Sequence, residues 1–119
     1  MDVKEIVEEG NSSFLPNLSI DIVIIGYKDG ALKCLLLKIG KKWLLPGGYI
    51  RLDQSVDEAA QTILKQRTGL ENSYLKFLGV FGDKNRQFKK VMKEFFEKTD
   101  MEWREDYWFN NRFVSLAYY

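Results

Sequence analysis

Between residues 45 and 70 the sequence reads LPGGYIRLDQSVDEAAQTILKQRTGL, and no other stretch restricts the fold as tightly. Ser55 and Glu58 stand at capping-box spacing, where hydroxyl and carboxylate each satisfy a free amide of a helix start. Val56, Ala59, Ala60, Ile63 and Leu64 follow at helical spacing and make one apolar stripe. Gly69 is placed to close that helix in the left-handed conformation. Ahead of the helix, Pro46-Gly47-Gly48 marks a tight turn.

The flanking segments alternate between strand and helix patterns. Residues 2–9 place Val3, Ile6 and Val7 on one helical face, with Gly10 as the expected stop and the polar GNSS as a loop. SIDIVIIGY, residues 19–27, reads as a largely buried strand. Asp29-Gly30 predicts a two-residue hairpin turn, since both of its central positions need positive φ. ALKCLLLKI is the expected partner strand, followed by a basic GKK turn and WLLPGGYI. YLKFLGVF, residues 74–81, predicts a further strand. Phe88, Val91, Met92, Phe95 and Phe96 predict a second amphipathic helix whose apolar side is a packing or dimerisation face. RFVSLAYY closes the chain as a strand. This alternation predicts an α/β (α+β) class with a mixed sheet.

Composition removes several functions. A chain of 119 residues, 45 % hydrophobic and 14 % aromatic, allows one domain with a real core. Eighteen basic residues against seventeen acidic give a net charge of +1, so no bulk attraction to nucleic acid or anionic membrane is expected. No stretch reaches the roughly 20 apolar residues that span a bilayer. The single cysteine, Cys34, lies in an apolar run; it is expected as inert core in a reducing, cytoplasmic setting. With no histidine, triads and imidazole metal sites are excluded.

The stretch from Gly48 resembles the Nudix box: glycine, five residues, Glu, seven residues, Arg-Glu, an aliphatic, any residue, Glu-Glu, any residue, glycine, aliphatic. Leu64 and Gly69-Leu70 fit that register without a gap, yet every charged position is exchanged. Gln54 stands for the first glutamate, Thr62 for the arginine, Ile63 for its neighbouring glutamate, and Gln66 and Arg67 for the glutamate pair. The resemblance implies a Nudix-like α/β/α sandwich over residues 1–119. It also implies what has gone. Nudix enzymes hold magnesium against a diphosphate with clustered carboxylates on this helix. Here Ile63 offers no ligand and Arg67 puts a fixed positive charge where the cation would sit.

LPGG, SVDEAA, TGLEN, the GVFGD segment with Asn85-Arg86, and VSLAYY together resemble one branch of this superfamily, the Nudix-related transcriptional regulators. That likeness implies a non-catalytic domain sensing a small effector, a pentose such as arabinose or an ADP-ribose-like nucleotide. It implies DNA contact only through a downstream winged-helix domain, and a homodimer. The stretch Gln87–Asn111 is longer and more charged than the loop usual there, and no winged helix precedes Tyr119. The chain is therefore expected to be a fragment, truncated at its C-terminal end.

Arg51, Gln54, Gln66, Arg67, Asp83, Asn85 and Arg86 are the expected ligand-binding residues, with no catalytic residue, metal or cofactor. Arg67 either complements the helix dipole, worth ~0.5 kcal/mol, or holds a phosphate or sugar hydroxyl. Asp83, Asn85 and Arg86 follow a strand end, as loop chemistry or as ligand contacts. Sugars rank above nucleotides, because a pyrophosphate wants metal or several arginines and only Arg51, Arg67 and Arg86 offer themselves. The alternative is a magnesium-dependent hydrolase of the ADP-ribose pyrophosphatase type, drawing on Asp53, Asp57 and Glu58.

Overall fold

The structure is a computed structural model and describes residues 3–119. Along the chain run α1 (Val3–Ser13), β1 (Phe14–Ile22), β2 (Ile25–Lys28), β3 (Ala31–Cys34), β4 (Leu37–Ile39) and β5 (Lys42–Leu44). Then follow β6 (Gly47–Arg51), α2 (Val56–Thr68), β7 (Phe77–Phe81), α3 (Lys89–Phe96), a 3-10 turn at Trp108–Asn110 and β8 (Val114–Tyr118).

Four strands form the central sheet, in the order β6-β1-β8-β7. β1 runs antiparallel to β6 and parallel to β8, and β7 is antiparallel to β8, so the sheet is mixed. Successive side chains of a strand face opposite ways, and the apolar residues divide accordingly. Ile20, Ile22, Ile50 and Tyr118 meet Ala59, Ala60, Ile63 and Leu64 of α2 on one face. On the other, Phe14 and Tyr49 join Ile6 of α1 with Phe96, Trp108, Phe109 and Phe113. Tyr49 and Ile50, adjacent on β6, thus belong to opposite layers. The result is the expected α/β/α sandwich.

Local chemistry accounts for the best-defined element. Ser55 Oγ accepts from Glu58 N at 3.1 Å, and Glu58 Oε2 accepts from Ser55 N at 3.1 Å, closing the capping box. Gly69, at φ 78°, donates its amide to Lys65 O and ends α2. Asp29 and Gly30 have φ of 53° and 79° and join β2 to β3, with Lys28 paired to Ala31.

Other boundaries move. Gly10 does not stop α1, which continues to Ser13 and absorbs the expected GNSS loop. The indole of Trp108 lies where a Cβ at Gly10 would be, and its Nε1 donates to Ile6 O at 2.9 Å. Gly10 is there for close approach, not for termination. Asp2, first residue of that expected helix, lies outside the described residues. The strand expected over 19–27 starts at Phe14 and breaks after Ile22, where the amides of Ile22 and Val23 turn to Pro46 O and Tyr118 O. Its expected partner over 31–39 divides into β3 and β4, and these segments form two separate hairpins, β2-β3 and β4-β5. Cys34 is accordingly exposed on β3 rather than buried in the core, because both faces of its hairpin are open. The long segment 87–111 supplies α3 and the 3-10 turn, and its rings pack: Phe96 lies 5.4 Å from Trp103 and 5.9 Å from Phe109. Among the described residues no helix is long and apolar enough to cross a membrane.

Candidate functional site

The parallel pairing of β1 with β8 sets Ser19 beside Ser115 and Asp21 beside Ala117. The two serine hydroxyls are buried and hydrogen-bonded to each other at 2.9 Å. Arg86, from the loop after β7, lies over this pair: its Nε donates to Ser115 Oγ at 3.0 Å and its Nη2 meets Asp21 Oδ2 at 3.2 Å. The main chain fixes Arg86 as well, since its amide donates to Asp83 O and its carbonyl accepts from Phe113 N. Its guanidinium also stands 5.5 Å from the Phe88 ring centre. Asp21 and Arg86 keep 22 % and 31 % of their side-chain surface exposed, enough for a solute to reach them.

Arg67 enters from the last turn of α2 and donates Nε to Gly47 O at 3.0 Å. Gly47 pairs with Asp21 across β6 and β1. A Cβ on Gly47 would lie 2.6 Å from Ile20 O and 2.8 Å from Asp21 Oδ1, so only glycine lets β6 close here. A Cβ on Gly48 would press on Ile63 at 3.0 Å, on the opposite face. The two glycines thus serve different layers. Burial pushes the Tyr49 hydroxyl up to about 12, while Arg67 pulls it down and Asp21 pushes it further up. Tyr49 therefore marks the spot where Arg67 and Asp21 are both within electrostatic reach.

The other expected residues are placed differently. Arg51 turns to α1, 2.5 Å from Glu5 Oε1, with its guanidinium 5.1 Å from the Phe14 ring centre. Gln54 accepts from Arg51 N and donates to Thr62 Oγ1, both at 3.2 Å. The box positions of the first glutamate and the arginine are thus joined by a neutral hydrogen bond. Gln66 is exposed on α2. Asp83 and Asn85 make an Asx turn, with Asn85 N donating to Asp83 Oδ1 at 2.8 Å. Of the expected set, Arg86 bonds to Asp21 and Ser115, and Arg67 bonds to Gly47, the strand partner of Asp21; Ser19 completes the group. Asp21 had a visible signal, as the one carboxylate in the apolar run SIDIVIIG.

Magnesium does not fit this donor set. Among the described residues no three His, Cys, Asp or Glu side chains converge on a point. Asp57 accepts from Tyr118 OH at 2.6 Å, and Glu58 is occupied by its capping box, both at the start of α2. Arg67 brings a cation to the other end. Two open depressions, of ≈ 520 and ≈ 630 Å³, flank Gln61 and Tyr74, and neither includes Asp21, Arg67 or Arg86.

No family model and no curated protein matches the chain. Solved structures do. NrtR of Shewanella oneidensis aligns at 23 % identity and TM-score 0.59, over 85 % of this chain and 41 % of that one. The Nudix domain of the same NrtR, solved in complex with ADP-ribose, aligns at 21 % identity and TM-score 0.61, over 99 % of this chain and 69 % of that one. A MutT/nudix family protein of Enterococcus faecalis gives 21 % and 0.60, over 99 % and 43 %. The fold is that of a Nudix domain, and the chain spans under half of two of these three proteins.

Proposed function

We propose that this chain is a non-catalytic, effector-binding Nudix-like domain of a transcriptional regulator, taking a small sugar or nucleotide-sugar at Asp21, Arg67 and Arg86. One observation carries the reading: Arg67 occupies a metal-binding glutamate's place in the box and is bonded to Gly47 O beside Asp21. Two guanidiniums and one carboxylate suit a polyhydroxylated, singly phosphorylated or nucleotide-linked solute. The arginines donate to phosphate or hydroxyl oxygens, and Asp21 accepts from hydroxyls. The ADP-ribose held by the NrtR Nudix domain supports a ligand of that class. DNA binding, in this reading, belongs to a winged-helix domain outside these residues.

The test is calorimetric titration with arabinose, ribose 5-phosphate and ADP-ribose. One of them binds, and Arg67→Ala weakens it by about 1–3 kcal/mol, the range of a charge-assisted hydrogen bond. Equal binding by parent and variant removes Arg67 from the site. Among the described residues the hydrolase reading finds no converging carboxylates. Magnesium-dependent cleavage of ADP-ribose that disappears in Glu58→Gln would establish it instead.

A further inference from the structure

Tyr49 of β6 carries a polar group that neither the fold nor the candidate site uses. In the register of β6 with β1 it stands directly opposite Ser19, two residues along from the pairing of Gly47 with Asp21. Residues two apart on a strand share a face, so Ser19, Asp21 and Tyr49 all look away from α2. The α2 side is held by Ile20, Ile22 and Ile50. Directly opposed side chains stand ~5 Å apart at Cβ and diagonal ones ~7–8 Å, still within reach of an aromatic side chain. The Tyr49 phenol is thus the diagonal neighbour of the Asp21 carboxylate.

Packing fixes the ring. The centres of Trp108, Phe113 and Phe14 lie 4.9, 5.6 and 5.9 Å from it. The hydroxyl is left over. Among the described residues it has no hydrogen-bond partner, and it is not one of the sealed polar atoms without one, which are Glu94 Oε2, Trp103 Nε1 and Asn110 Oδ1. Its oxygen therefore reaches water. Burial holds the phenol up to about 12, so it keeps its proton and can donate across the neutral range.

A carboxylate can only accept. A donor set beside an acceptor selects a group that is both, and a hydroxyl is such a group. Its oxygen accepts from the phenol while its own proton goes to the carboxylate. A phosphate oxygen in the same place would meet like charge at Asp21. Arg67 and Arg86 are left for the anionic part of a ligand.

We infer that Tyr49 is a further ligand-binding residue of this site, its phenol donating to a sugar hydroxyl that in turn donates to Asp21. The inference rests on the effector-binding reading and names the group that takes the hydroxyl-bearing end of the effector.

Calorimetric titration of the parent, Tyr49→Phe and Arg67→Ala with arabinose, ribose 5-phosphate and ADP-ribose tests it, with tyrosine difference spectra of the same mixtures. Tyr49→Phe keeps the ring and deletes a hydroxyl that holds nothing in the fold, so its melting temperature is expected to match the parent's. Its affinity for whichever probe binds the parent is expected to fall about 3- to 10-fold, the loss of one neutral hydrogen bond. Saturating ligand is expected to give a tyrosine difference spectrum with the parent that is missing in Tyr49→Phe, a signature that packing alone does not give. A probe that weakens in Arg67→Ala but binds Tyr49→Phe as tightly as the parent overturns the assignment of Tyr49 and leaves the site standing. An unperturbed phenol in the parent's complex, or a Tyr49→Phe that melts well below the parent, overturns it in the same way. Binding of none of the probes by the parent removes the site, and Tyr49 with it.

Discussion

Ile63 shows how a position that the box pattern gives to a glutamate is absorbed by packing. It is 2 % exposed and lies under Gly48, where the absence of a Cβ makes room for its branched side chain. A carboxylate there would be desolvated with no partner. Ile63→Glu is therefore expected to destabilise the fold by about 3–5 kcal/mol at pH 7, as judged by urea unfolding. The sign with pH is fixed. Burial holds the folded carboxyl neutral, so its pKa lies above that of the unfolded chain, and the loss grows as pH rises through the carboxylate range. A variant as stable as the parent at pH 7 would mean that this face of α2 opens to water. Arg67 behaves otherwise, since α2 keeps its caps and its apolar stripe without it.

At the scale of elements, α1 offers the sharpest contrast with α2. Gly10→Ala should favour an isolated helix by about 1 kcal/mol. In this fold the new methyl would fall 2.1 Å from Trp108 Nε1, so the indole must move and release Ile6 O. The expected net result is a loss of about 1–3 kcal/mol, read as a lower melting temperature. A rise would mean that the contact is slack. The same pair explains what was legible. Ser55, Glu58 and Gly69 act on neighbours within a turn, so α2 could be delimited from residues 55–69 alone. Gly10 answers to Trp108, which no local pattern reveals. Cys34 departs from expectation for a related reason: apolar sequence says that a segment resists water, not that anything covers it. For the proposed site, the box register points to Arg67 and the loop signal to Arg86. The bond of Arg86 to Asp21, and of Arg67 to its strand partner Gly47, depends on β1, α2, β6 and the loop after β7 coming together, and that is tertiary information.

For the molecule as a whole, two tyrosines report on the two layers. Tyr49 lies in the aromatic layer, where burial pushes it up to about 12. Tyr118, in the α2 layer, is likewise raised to about 12 by burial and then by its bond to Asp57. The unfolded values lie near 10, so the contribution to stability is complete below that and is lost as pH rises from 10 through 12. Absorbance titration should reveal two late-ionising phenols, and unfolding free energy should fall across the same interval. Stability unchanged between those limits would show that one layer already admits water.

The pairing of β1 with β8 also sets the order in which this protein can be made. Ser19 and Ser115 touch, yet 96 residues separate them, and Ile20 and Ile22 gain their parallel neighbour only through that contact. Contacts between remote segments carry the loop-closure cost before any reward, so they slow folding. During synthesis α2 can form as soon as it leaves the ribosome, because its signals are local. β1 and β7 must wait, each with an open side, until Val114–Tyr118 has emerged between them. Among the described strands, the one translated last is the one that joins β1 to β7.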